Sequence, residues 1–129
     1  MKGVKENQAS LIAGLEYLRA ATSKPRLEVQ QVQMLLTLYH LPEAGVHMQQ
    51  LAEQMKGSQS FVSRNAKGFG SAATGKRFVG LRIDDDDPRY RVIYLTPEGR
   101  AVMKTFCAIV DGSEKAPKFR PAVDARTKR

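Results

Sequence analysis

MQQLAEQMKGSQSFVSRNAKGFGSAATGKRFVGLRIDDDDPRYRVIYL, residues 48–95, is the stretch whose reading decides the fold. Leu51, Ala52 and Met55 recur at helical spacing and predict a short helix over Gln49–Met55. Its start lacks Ser, Thr, Asp or Asn at 46–48, so its N-cap is weak. Gly57 suits a left-handed turn after it. Ser58 is a good N-cap for a second helix through Phe61, Val62, Arg64 and Lys67. Phe61 and Val62 anchor that helix inward, which leaves Gln59, Ser60, Ser63, Arg64 and Lys67 facing outward. Gly68 and Gly70 end it, since an interior Gly costs about 1 kcal/mol relative to Ala. Ser71–Gly75 reads as a flexible loop. Phe78–Ile83 and Tyr90–Leu95 are rich in β-branched and aromatic residues and form a hairpin, with Asp84–Pro88 at its tip.

Outward from this stretch the chain is helical. Leu11, Leu15 and Leu18, widened by Ile12, predict a helix over Asn7–Thr22. Pro25 breaks the chain at 23–26. Leu27–His40 is a second helix with Val29, Val32, Leu36 and Tyr39 on one face and Leu35 beside it, closed by Pro42 and Gly45. Val46 and His47 suit a very short strand. Thr96-Pro97-Glu98 opens the last helix, with Thr96 as N-cap and Pro97 in the first turn. Val102, Phe106 and Ile109 form one stripe on it, and Met103, Cys107 and Val110 a second. That apolar surface is wide for a terminal helix and predicts burial against a partner chain as well as the protein's own core. The expected fold class is mainly α (α+β): a winged helix-turn-helix with N- and C-terminal dimerisation helices over residues 1–111, and a disordered basic tail over 112–129.

Charge narrows the ligand. The chain has 129 residues and a formal net charge of +8. Residues 1–55 balance to zero, whereas 56–82 carry Lys56, Arg64, Lys67, Lys76, Arg77 and Arg82 without a single acid. A cationic excess gathered on one helix and one strand is the footprint of a polyanion binder. A helix fits the major groove of duplex DNA, and short polar side chains at its start reach base edges. Ser58, Gln59, Ser60, Ser63, Arg64 and Lys67 are the candidates there, and Lys76, Arg77, Arg82, Arg89 and Arg91 on the way to and along the wing. Arg89 and Arg91 lie two apart and share a strand face, with Arg82 near them on the opposing strand.

Other chemistries are weaker. Asp84–Asp87 supplies four carboxylates, but consecutive strand residues alternate faces and no ligand glutamate follows, so no metal site is expected. His40 and His47 form no ligand set. Cys107 sits on an apolar helical face, the single cysteine excludes an internal disulfide, and a reducing cytoplasm suits it. No phosphate-loop pattern occurs in the Gly-rich segment, since Gly75-Lys76 precedes Arg77. No nucleophile–base constellation and no cofactor motif is present, so an enzyme is not expected. Met1–Gln8 is polar, without a signal-peptide core, and no apolar run is long enough to cross a membrane.

Specific residues then resemble a known family. Leu51-Ala52-Glu53, followed by Ser58, Ser60 and Val62-Ser63-Arg64, resembles the helix-turn-helix core of the MarR family of bacterial transcription regulators. Asp87-Pro88-Arg89, Val92–Leu95 and Thr96-Pro97-Glu98-Gly99-Arg100-Ala101 resemble that family's wing and the start of its next helix. The resemblance implies a homodimer whose terminal helices interlock, a recognition helix in the major groove, and a wing in the minor groove. It also implies that Arg89 contacts DNA and that Asp87 holds Arg89. The function it implies is a dimeric repressor at a palindromic operator. A winged helix that meets an acidic protein partner is the alternative. The Gly-rich link between recognition helix and wing is longer here than in that family, and the last helix is shorter. Family members often bind small effectors, but these residues identify no such pocket.

Overall fold

The structure is a computed structural model that describes residues 4–69 and 77–112. Its order is α1 (Val4–Thr22), α2 (Val29–Tyr39), β1 (Val46–His47), α3 (Met48–Gln54), α4 (Gln59–Lys67), β2 (Val79–Ile83), β3 (Arg91–Leu95) and α5 (Pro97–Asp111). The three strands form an antiparallel sheet in the order β1-β3-β2. This is the expected winged helix. The anticipated loop Ser71–Gly75 lies outside the described residues. So does the tail, apart from Gly112, which closes α5 in the left-handed region at φ 80°.

The core lies where α1, α2 and α5 meet the helix-turn-helix and the sheet. Leu18, Met34, Leu35, Leu38, Leu51, Val62, Ile93, Met103 and Phe106 are all buried there. The terminal helices pack on one another, with Val110 and Phe106 of α5 against Gly14 of α1. This places Leu18 inside and leaves Leu11 and Ile12, expected on the inner stripe, 46% and 58% exposed.

Helix α2 also turns a different face inward from the one its pattern predicts. Gln31, Met34, Leu35 and Leu38 are buried, Val32, Leu36 and Tyr39 are half-buried, and Val29 is 82% exposed. The two faces are offset by one residue, and both are largely apolar. Gln31 disguises the inner one. Its Oε1 accepts a hydrogen bond from the Glu28 backbone N–H (2.9 Å), so its polar group is satisfied at the helix start rather than by water.

The turn between α3 and α4 inverts another expectation. The left-handed residue is Lys56 (φ 56°), not Gly57. Gly57 donates to the Ala52 carbonyl (2.8 Å) and closes α3. Its missing side chain serves packing instead: a Cβ there would lie 2.8 Å from the Phe61 ring. Lys56 therefore takes the backbone strain that glycine would have relieved. The weak α3 start is met locally, because the His47 N–H donates to Gln50 Oε1 (3.1 Å).

Phe69 and Phe78 bracket the Gly-rich link. Both are buried, and the Phe78 N–H donates to the Phe69 carbonyl at 2.7 Å. The Phe78 carbonyl in turn accepts from Thr96 N (3.1 Å). Thr96 Oγ1 accepts from Gly99 N (3.1 Å) and donates to the Arg77 carbonyl (2.6 Å). A Cβ on Gly99 would strike the Phe78 carbonyl. The Leu95-Thr96-x-x-Gly99-Arg100 motif is thus the seat that α5 provides for the first residues of the wing. Each buried Phe contributes roughly 2–3 kcal/mol through burial. Phe69→Ala is expected to cost about 3–5 kcal/mol in denaturant unfolding. A loss below 1 kcal/mol would show that the ring does not anchor the link.

Candidate nucleic-acid interface

Helix α4 is held from one side. Val62, Asn65 and Ala66 are buried and Phe61 half-buried. Asn65 spends its amide on the Phe61 carbonyl (2.9 Å), a buried role that polar character alone concealed. Ser58 caps the helix, its Oγ accepting from the Phe61 N–H at 3.1 Å, as expected. Gln59, Ser60, Arg64 and Lys67 are exposed and Ser63 is half-buried, so the outward face matches the one read from the sequence. The far end of α4 is steadied by Lys24, whose ammonium lies 5.5 Å from the centre of the Phe69 ring.

The wing separates its arginines more than strand alternation suggested. Residues paired across an antiparallel sheet share a face. Ile83 pairs with Arg91, and Leu81 with Ile93, on one face; Arg82 pairs with Val92, and Val92 with His47, on the other. Arg82 therefore does not join Arg91. Its Nη2 donates to the Ala44 carbonyl (3.1 Å), which ties β2 to the loop before β1. Lys67 and Arg77 instead flank a groove of about 180 Å³ floored by Ala66, Val79 and Leu81, between α4 and the sheet. Lys76 lies outside the described residues.

Arg89 does not extend the strand to share a face with Arg91, because β3 begins at Arg91 and Arg89 sits in the turn. Asp87 builds that turn. Its carbonyl accepts from Tyr90 N (3.0 Å), and its Oδ1 from Arg89 N (3.1 Å). The same carboxylate grips the Arg89 side chain twice, Nε to Oδ1 at 3.0 Å and Nη2 to Oδ2 at 2.7 Å. The Arg89 guanidinium holds the Asp87 carboxyl below its ordinary range, and the carboxylate raises the guanidinium in return. Arg89 remains exposed, its side chain 81% accessible.

The surroundings of His47 are set by residues distant in the chain. Its Nε2 lies 2.5 Å from Asp84 Oδ2, and its ring stacks on Tyr90 with centroids 4.7 Å apart and planes 6° from parallel. A carboxylate only accepts, so Nε2 carries the proton in this bond. That hydrogen bond, seconded by Asp86 N, holds the Asp84 carboxyl below its ordinary range. Arg100 covers the Tyr39 ring at 5.6 Å and donates to the Tyr39 carbonyl (3.4 Å), a structural role. Burial, and then the charge of Asp111, push the Cys107 thiol up, which opposes thiolate chemistry. Among the described residues no group of three or more His, Cys, Asp or Glu is placed to hold a metal, and no helix is long and apolar enough to cross a membrane.

No family model and no curated protein sequence matches the chain. Solved structures do. The S. aureus MepR–DNA complex aligns over 88% of this chain and 85% of its own, with a TM-score of 0.60 at 18% identity. AbsC, a MarR family transcriptional regulator from Streptomyces coelicolor, aligns over 82% and 74%, with a TM-score of 0.57 at 20% identity. NadR in complex with 4-hydroxyphenylacetate aligns over 85% and 71%, with a TM-score of 0.59 at 18% identity.

A carboxyl held low in the folded chain stabilises it above the group's unfolded value and loses that effect as pH falls through the carboxylate range. For Asp84 and Asp87 that range starts from the ordinary value of 3.8. Acidification from about pH 4 downward is therefore expected to release the wing turn before the helical core. Wing and core amide signals followed by NMR from pH 6 to pH 3 check this; simultaneous loss of both contradicts it.

Proposed function

We propose that the chain, whose fold is that of the MarR-type winged-helix regulators, is a sequence-specific, double-stranded-DNA-binding transcriptional regulator of that kind, a cytoplasmic dimeric repressor at a palindromic operator and not an enzyme. One observation carries the reading. A capped helix free of acids presents Gln59, Ser60, Arg64 and Lys67 outward, beside a wing that offers an Arg89 pre-shaped by Asp87. Gln59 suits adenine, and Arg64 guanine or a phosphate. The N–H groups at the start of α4, near Ser58, suit a phosphate. Lys67, Arg77 and Arg91 supply backbone attraction between helix and wing, and the basic residues of 112–129 add attraction that is blind to sequence. Arg82, tied to Ala44, keeps its charge near the duplex and contributes less.

The dimer rests on α1. Leu11 and Ile12 lie exposed on a helix whose other side is already committed to α5. Repression then follows from occupying two half-sites and excluding polymerase. Two solved structures of this shape, S. aureus MepR and overoxidized AbfR, are complexes with DNA, which agrees with this use.

Selection of duplexes from a random pool, followed by gel shift across a salt series, tests the reading. A recovered motif with strongly salt-dependent binding supports it. Absence of duplex affinity at low salt, with capture of an acidic protein instead, assigns the basic face to protein interaction. Arg64→Ala is expected to cost roughly 1–3 kcal/mol of duplex affinity and to relax preference at one base position. Ile12→Glu is expected to shift the sedimenting species from dimer to monomer at micromolar concentration; an unchanged dimer moves the interface elsewhere.

A further inference from the structure

We propose that His47 is a positioning residue for the wing: through Asp84 and Tyr90 it sets the direction in which Arg89 is presented, and it couples that direction to the start of the helix-turn-helix. The proposal rests on the DNA-binding reading above and deepens it.

His47 occupies two structures at once. It is the last residue of β1, paired with Val92, and it is the residue that caps α3, donating its backbone N–H to Gln50. Its side chain leaves both of these and reaches the wing. Nε2 donates to Asp84 at the end of β2, and the ring lies flat against Tyr90 before β3. One imidazole thus grips both strands of the wing where they emerge from the sheet, and Asp84 N to the Tyr90 carbonyl (2.9 Å) is the last backbone bond between them there. Arg89 packs against the same ring: its guanidinium lies 5.7 Å from the Tyr90 ring centre, while Asp87 fixes its fork. The charged groups around the imidazole are Asp84, Asp87, Arg89 and, on the same sheet face beyond Val92, Arg82.

The geometry has a mechanical consequence. A two-stranded ribbon that projects from a sheet is free to twist at its base. Hydrogen bonding fixes the in-plane position of the β2 end, and ring stacking fixes the tilt of the β3 end. Both constraints come from the residue that also defines where α3 begins. The wing contact and the helix-turn-helix therefore move as one body, and Arg89 does not lose rotational freedom afresh when it engages a duplex.

The test compares His47→Ala, Tyr90→Leu, Tyr90→Phe, Arg89→Ala and the His47→Ala/Arg89→Ala double variant. Duplex affinity is measured against salt, and thermal melting is followed for each. His47→Ala and Tyr90→Leu are each expected to weaken binding about three- to tenfold. Each should also flatten the salt dependence by about one phosphate contact, as Arg89→Ala does. Tyr90→Phe keeps the stack and binds as wild type. In the Arg89→Ala background, His47→Ala adds less than about twofold, because its effect runs through Arg89. Additive losses in the double variant, or wild-type binding by both His47→Ala and Tyr90→Leu, overturn the proposal. Tyr90 lies outside the core, so Tyr90→Leu carries the comparison if His47→Ala melts early. The Arg89 Nε–H signal in NMR, recorded without DNA, keeps this separate from the regulator reading. In wild type it is expected to reflect both the bond to Asp87 and the nearby Tyr90 ring, and in His47→Ala to shift as the ring loses its stack while the bond to Asp87 persists; an unchanged signal contradicts the positioning role even if no duplex binds.

Discussion

The backbone of Phe78 is the point on which the placement of α4, the wing and α5 depends. Its N–H is taken by Phe69 just past the end of α4, and its carbonyl by the cap of α5 at Thr96. Both rings of the pair are buried, and Gly99 lacks a side chain because that carbonyl occupies its place. Three elements that must hold fixed relative positions, α4, the wing and α5, are thereby joined through one residue. The Gly-rich link leaves the core at Phe69 and returns to it at Phe78. The spacing of helix and wing is therefore set by its two ends and not by its length. The fold remains that of the MarR-type solved structures.

From that joint the rest follows in order. Helix α4 is anchored by Val62 and Ala66 and turns its polar face out. The sheet hands the wing its direction, with His47 gripping the base and Asp87 shaping the tip. Acidic residues at a tip that meets phosphate would be self-defeating if free. Here Asp84 is hydrogen-bonded to His47 and Asp87 to Arg89, so two of the four carboxylates are held by partners within the protein. Burial of single residues gives the fold its stability, and the directional bonds decide where the cations point.

Most of the architecture was legible in the chain because its signals are local. Thr96-Pro97 marks a helix start, Ser58 a second, and alternation marks the hairpin, with boundaries correct to within a few residues. What escaped was nonlocal. The pattern of α2 points to the wrong face because Gln31 is polar yet satisfied by its own helix start. Glycine's freedom points to Gly57 for the left-handed conformation that Lys56 carries, because the pressure of Phe61 on Gly57 is not local pattern. Spacing alone groups Arg82 with Arg91, and register puts it on the opposite face. His47 looked isolated because its partners stand 37 and 43 positions away, and Asp84 looked like a mere tip acid for the same reason. In each case pairing between distant segments, not propensity, chose the outcome.

The central claim is that one face of the molecule, α4 together with the wing, meets duplex DNA. Backbone amide NMR of the protein, titrated with a duplex selected by the protein itself, tests this most directly. The account predicts perturbations gathered on Ser58–Lys67 and on Asp84–Arg91, with the α1–α5 helices quiet. Perturbations centred on α1 and α5, or none at saturating duplex, would contradict it.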